Sequence, residues 1–209
     1  MHSDNFENLT TEQKILKAAQ KEFSQKGFAG AKTTAIAKAA GVTHTMLHYY
    51  FRTKKCLYEK IVDEYLSIML KVIFTPDISM SRTIFDSVRL ITERQMNSFA
   101  QNPYLPQFII NELSLNTEIL KIFISKSEDY SNQFLSILQK QIYEAALNHK
   151  CKKVDARVLA IGILQLNIIP FIVAPILSIF RIDNDIEDSI FIASKIQENT
   201  NTIINRLQP

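Results

Sequence analysis

The chain has 209 residues, with 24 Lys/Arg against 21 Asp/Glu and 46% hydrophobic residues, enough to bury a core as one compact unit or two small domains. Its two cysteines, Cys56 and Cys151, stand far apart with no partner motif, which excludes a disulfide framework or a cysteine metal site and points to a reducing, cytoplasmic compartment. Charge is uneven: residues 13–60 hold ten Lys/Arg and two acids, Glu22 and Glu59, while residues 1–12 are acidic and 61–209 nearly balanced, the pattern of a nucleic-acid-binding head on another kind of body.

Residues 1–9 are polar and acidic and are expected to form a flexible tail, not a signal peptide. Thr10 and Gln13 have capping-box spacing and open a first helix, with Leu16, Ala19 and Phe23 on one face and Lys14, Lys17 and Lys21 elsewhere. Gly27 is placed to stop this helix in a left-handed conformation, and Phe28 to fold back on it. A short second helix is expected from Thr33 to Ala40, with Ile36, Ala37 and Ala40 inward; Gly41 ends it and Val42 plugs the turn. Thr43 then caps a third helix ending near Phe51, and Thr53 a fourth that runs to about Phe74 and is closed by Pro76. Two helices joined by a tight glycine turn make a helix-turn-helix.

On a wheel of the third helix, Leu47 and Phe51 face inward with Val42, and His44, Thr45, His48 and Tyr49 share the opposite side, with Tyr50 between. A recognition helix enters the major groove with such a face. There Thr and His side chains meet base edges and a Thr methyl meets thymine methyls. A tyrosine hydroxyl can reach a phosphate, and Lys54 stands at the next helix N-terminus, where free backbone N–H groups also favour phosphate. His44 and His48 have the i, i+4 spacing of metal ligands, but no Glu follows His44 and no third ligand is evident, so neither a metal nor a cofactor is expected.

Residues 15–62 resemble the DNA-binding domain of TetR-family transcriptional regulators. The matching positions are Ile15, Leu16, Ala18, Ala19, Phe23, Gly27, Phe28, Ile36, Ala37, Ala40, Gly41, Val42, Leu47, Tyr49, Tyr50, Phe51, Lys54 and Leu57. The resemblance implies an all-helical homodimer with a variable ligand-binding domain, in which an effector changes the spacing of the two DNA-binding heads. It places Lys32, Thr33 and Thr34 near phosphate at the start of the helix-turn-helix, His44, Thr45, His48 and Tyr49 on the reading face, and Lys54 on the DNA backbone. The chain departs from the family pattern at Lys32, where Ser or Thr is usual and capping is expected to shift to Thr33. It also departs at Thr45 (usually Gly or Pro), His48 (usually Tyr) and Lys55 (usually Glu).

Beyond Pro76, helical segments are expected at 81–101, 103–114, 117–148, 155–181 and 184–207. Pro103 and Pro106 stand near a helix start, and Asn116 with Thr117 and Asp183 with Asn184 as caps. Residues 158–180 carry no charge between Arg157 and Arg181 and are long enough to span a bilayer, but Gln165, Asn167, Pro170 and Pro175 interrupt them. Pro170 frees the carbonyl of Leu166, which lipid could not satisfy. An apolar helix of this kind is instead buried on both sides, by the core and by a partner subunit. The resemblance implies the same, since the family pairs its last two long helices; the expected homodimer forms through 155–181 and 184–207, without a membrane.

An effector pocket is expected among the later helices, from polar residues in apolar surroundings (Glu93, Asn111, Glu112, Gln133, Gln165, Asn167) and aromatic ones (Phe99, Tyr104, Phe108, Tyr130, Phe134, Phe171). No anion clamp stands out, which favours a small, largely hydrophobic effector. No glycine-rich phosphate loop, nucleophile elbow or paired-carboxylate pattern supports an enzyme. The expected architecture is all-α: a tail (1–9), a three-helix DNA-binding domain (10–54), a connecting helix (55–76) and an effector-binding and dimerisation domain (77–209). The expected function is that of a ligand-responsive repressor on a palindromic operator. The alternatives are a membrane-associated protein with a basic head and a constitutive DNA-binding protein without an effector.

Overall fold

The computed structural model describes residues 9–173 and 189–209, and every regular element among them is helical. In chain order these are α1 (Thr11–Gly30), α2 (Thr33–Ala39), α3 (His44–Tyr50), α4 (Lys54–Phe74), a 3-10 turn (Pro76–Met80), α5 (Ile84–Gln101), α6 (Leu105–Phe108) running into a π turn (Ile109–Leu113), α7 (Thr117–Leu147), α8 (Ala156–Ile172) and α9 (Ser189–Leu207). The tail up to residue 8, the expected helical stretches 174–181 and 184–188, Pro175 and the Asp183 and Asn184 caps lie outside the described residues.

Contacts divide the chain into two compact units. One holds residues up to Ser67 together with Gln107–Leu120, and the other holds Ile68–Pro106 and everything from Lys121 on. The first unit thus takes in a segment of later sequence as well as the N-terminal helices. Its local signals act as their chemistry dictates. Thr10 and Gln13 form the reciprocal capping box, Thr43 Oγ1 accepts the Met46 N–H at 3.1 Å, and Thr53 Oγ1 accepts the Cys56 N–H at 3.1 Å. Ile15, not Leu16, is the fully buried aliphatic of α1, and Ala19, Phe23, Ile36, Leu47, Leu57 and Ile61 are buried as well. Gly27 has the positive φ expected of it, +63°, but its ψ of 177° is extended and not left-handed helical. That conformation is essentially closed to other residues, and it kinks the chain before one more helical turn to Gly30. Phe28 does fold back: its ring lies 4.9 Å from Tyr58 and 6.3 Å from Phe23.

In the second unit, faces of α5, α7, α8 and α9 enclose a core of Ile84, Val88, Ile91, Phe134, Leu138, Ile142, Leu159, Ile163, Ile203 and Leu207. α5 starts at Ile84, three residues later than expected, because Thr83 caps it by accepting the Asp86 N–H. α7 closes with His149 at φ +54°, where the Lys150 N–H reaches the Ala145 carbonyl in the bond pattern usually supplied by a C-terminal glycine. Among the described residues no helix is long and apolar enough to cross a membrane.

Pro170 lies inside α8, so the Leu166 carbonyl has no helical N–H to accept. Asn199 of α9 supplies the missing donor, its Nδ2 lying 3.1 Å from that carbonyl. The same amide group lies 2.9 Å from Asn167 Oδ1, and Asn167 Nδ2 in turn donates to Gln95 Oε1 of α5 at 2.9 Å. Asn167, Gln95 and Asn199 are all buried. This chain of amides ties α5, α8 and α9 at the kink. Truncation by Asn199→Ala leaves a carbonyl and an amide oxygen buried without donors, so it should cost about 2–4 kcal/mol. The check is urea unfolding, with the exposed Ser194→Ala on the same helix staying within about 0.5 kcal/mol of wild type.

Candidate nucleic-acid interface

The interface is built on a turn. Gly41 takes φ +69°, its N–H donates to the Lys38 carbonyl at 3.2 Å, and the Val42 N–H donates to the Ala37 carbonyl at 3.0 Å. These two bonds satisfy the last carbonyls of α2 and turn the chain into α3. A Cβ at Gly41 would meet no atom within 4 Å, so only backbone conformation reserves this position for glycine. α3 is then held down by Leu47, fully buried, and Phe51 at its C-cap. The remainder of α3 faces away from the core: His44, Thr45, His48, Tyr49 and Tyr50 are all exposed, Tyr49 at 82% and Tyr50 at 42%.

Two histidines on this face are anchored. His48 Nδ1 lies 3.0 Å from the Arg52 carbonyl oxygen, and His44 Nε2 lies 3.0 Å from the Thr33 hydroxyl. The rings meet edge to face at 4.4 Å, and Tyr49 and Tyr50 pair in the same manner at 5.5 Å. Thr33 therefore does not take over the capping of α2, as Lys32 led us to expect: α2 starts with no side-chain cap, and the Thr33 hydroxyl is turned to α3. Thr34 is exposed beside it.

The start of α2 is secured from α1 instead. Glu22 Oε1 accepts the Lys32 backbone N–H at 3.2 Å and the Lys26 ammonium at 2.9 Å. Burial draws the Glu22 carboxyl upward, but the bonds from Lys26 and the Lys32 N–H outweigh it and hold the group below the ordinary carboxylate value. Nothing in the local sequence marks Glu22 for this role, since its partner lies ten residues on.

Lys54, expected on the DNA backbone, also makes contacts within the unit. Its ammonium donates to the Ala29 carbonyl at 3.3 Å and lies 4.9 Å above the Phe28 ring, so it braces the end of α1 against α4. Arg52, Lys32 and Lys38 are exposed and carry cationic side chains on this part of the surface. Arg52 is the residue that sequence reasoning passed over: its carbonyl oxygen lies 3.0 Å from His48 Nδ1, and its side chain is exposed.

The expected effector residues are divided between the two units. Phe108, Asn111 and Glu112 belong to the first unit, where Phe108 packs on Tyr65 at 4.7 Å and Asn111 donates to the Ser24 carbonyl at 3.4 Å. Glu93, Tyr130, Gln133 and Gln165 lie on exposed sides of their helices, not in apolar surroundings, and Phe134 belongs to the second unit's core against Phe74. Tyr104 is half-buried. Of these side chains Phe99 and Phe171 meet, their rings 5.6 Å apart, while Asn167 is hydrogen-bonded to Gln95 and Asn199. Thr92 and Gln95, not among the expected residues, are buried on the same face of α5 as Phe99, and the 92, 95, 99 spacing is the signal that marks this face.

Residues 15–61 match the family described as bacterial regulatory proteins, tetR family. The probable HTH-type transcriptional regulator YttP of Bacillus subtilis is 29% identical over 120 residues, covering 56% of this chain and 57% of that one. RutR of Escherichia coli, an HTH-type transcriptional regulator, is 40% identical over 81 residues, 38% of each chain. The chain thus spans little more than half of the first of these relatives and less than half of the second. IcaR of Staphylococcus aureus, the HTH-type negative transcriptional regulator of the biofilm operon icaADBC, is 27% identical over 164 residues, 68% of this chain and 88% of that one. Among solved structures, the fold is shared with the ketosteroid transcriptional regulator KstR2 of Mycobacterium tuberculosis (TM-score 0.69, 10% identity, 96% of each chain) and the hemolysin II transcriptional regulator HlyIIR (TM-score 0.60, 19% identity, 95% of this chain and 97% of that one).

Because the Glu22 pKa is lower in the folded chain, the clip stabilises fully above the unfolded carboxylate value of 4.5 and is lost as pH falls through the lower folded value. Glu22→Gln should therefore lower Tm at about pH 7, and the difference from wild type should shrink toward zero below about pH 4. Thermal unfolding across that range checks it; a difference that grows on acidification would refute the assignment.

Proposed function

We propose that this chain, whose residues 15–61 match the tetR family and which is similar to IcaR over most of its length, is a TetR-family transcriptional regulator that works as a homodimeric repressor. The two α3 helices enter major grooves about 34 Å apart, or a multiple, on a near-palindromic operator, and a small, largely hydrophobic effector bound in the second unit releases them. The observation that carries the reading is the exposed face of α3, where two histidines, a threonine and a tyrosine stand free of core packing beside exposed Lys and Arg. Repression is favoured by the likeness to IcaR, named as a negative regulator.

Dimerisation is supported by α8. Val158, Ile161, Gln165 and Ile169 form one stripe along it, and its three aliphatic side chains are each about half exposed. On α9, exposed Gln197 and Asn201 continue one face at i, i+4 spacing. A copy of the same surface would cover the apolar stripe and leave the amides to pair with one another.

The constitutive reading is favoured by one observation: the Asn167 amide is fully engaged and Phe99 meets Phe171, as in a filled core. A rise in Tm with steroid-like or acyl ligands would reject it. The proposed function itself is tested by a gel shift with DNA from the protein's own promoter region, where selective, salt-sensitive binding is expected and its absence would overturn the proposal. Ile161→Glu should convert a dimer into a monomer in sedimentation and weaken operator binding by roughly 100-fold or more, because both heads must bind together; a dimer that persists would place the interface elsewhere.

A further inference from the structure

The anchoring of the α3 histidines restricts what they can read. The Arg52 carbonyl oxygen can only accept a hydrogen bond, so His48 Nδ1, 3.0 Å away, carries the proton. A neutral imidazole protonated at Nδ1 leaves Nε2 as a lone-pair acceptor. His48 is exposed on the outer face of α3, the face that the proposed function turns toward DNA. Phosphate oxygens offer it nothing, since they accept as well. In the major groove guanine presents the acceptors N7 and O6 and thymine the acceptor O4; only adenine N6 and cytosine N4 present donors.

The ring is also held from its side. His44 meets it edge to face at 4.4 Å, and His44 is itself fixed by the Thr33 hydroxyl of α2. The rings are thus fixed before DNA arrives, which lowers the entropy cost of contact. The family's usual tyrosine at this place would bring a hydroxyl that donates as readily as it accepts, without this restriction.

We propose that His48 is a specificity-determining residue that reads an exocyclic amino group, adenine N6 or cytosine N4, in each half-site, with Thr33 and the Arg52 carbonyl as the groups that position it. The proposal rests on the DNA-binding function above and names the chemistry of one contact within it.

The test is selection from a random-sequence duplex pool at about pH 8, above the range in which imidazoles ordinarily protonate. Wild type, His48→Phe and His48→Gln are compared. Wild type should fix adenine or cytosine at one position of each half-site. His48→Phe keeps a ring without the acceptor and should lose that preference by roughly fivefold to tenfold while the other positions stand. His48→Gln, whose amide oxygen also accepts, should restore a preference for adenine or cytosine there, which a purely structural role for the ring would not do. Removing the amino group from that base in the selected duplex should weaken wild type by a similar factor and leave His48→Phe unaffected. Selective binding by wild type with every position unchanged in His48→Phe, or with guanine or thymine at the position that His48→Phe releases, overturns the assignment of His48 and leaves the DNA-binding reading intact. No selective binding by wild type overturns that reading itself.

Discussion

The interface depends on the turn at Gly41. A seven-residue helix such as α3 is far too short to persist by its own hydrogen bonds. It exists here because the turn delivers it against the core in one orientation, the Thr43 side chain satisfies its first free N–H groups, and Leu47 and Phe51 hold it from below. Leu47 is the one α3 side chain buried in the core, and the others remain at the surface. The outer face is left exposed with its imidazole and aromatic groups, free for the proposed recognition of DNA.

The second feature is the use of charge within the head. A count of Lys and Arg along residues 13–60 treats every cation as available to phosphate. In the folded unit some are structural. Lys54 ties α4 to the end of α1 through the Ala29 carbonyl and the Phe28 ring, and Lys26 helps Glu22 hold the start of α2. A chain with a basic segment of this length can afford both uses. The helix ends are fastened by long-range polar contacts where sequence-local capping is absent, as at Lys32.

What the sequence made legible follows from range. The capping box at Thr10, the glycine turn at Gly41 and the caps at Thr43 and Thr53 join residues three to five apart, and each formed as its residue types require. Lys54, Thr33 and Glu22 have partners 25, 11 and 10 residues away, and nothing in the local pattern names them. The effector candidates scatter over the fold for a related reason. Periodicity shows that a helix has an apolar face, but a polar residue near its edge can fall on either side, and Glu93 and Gln133 lie on the exposed one. The free carbonyl of Leu166 was legible from Pro170; its donor, Asn199, was not, because it comes from another helix 33 residues on.

The decisive measurement is the NMR titration of the histidine ring signals with a selected duplex. The account predicts that the His44 and His48 resonances move on binding while His149, at the end of α7 in the second unit, stays where it was. A duplex bound with sequence selectivity while His44 and His48 remain unchanged would contradict it, because the exposed face of α3 would then not be the surface that meets DNA.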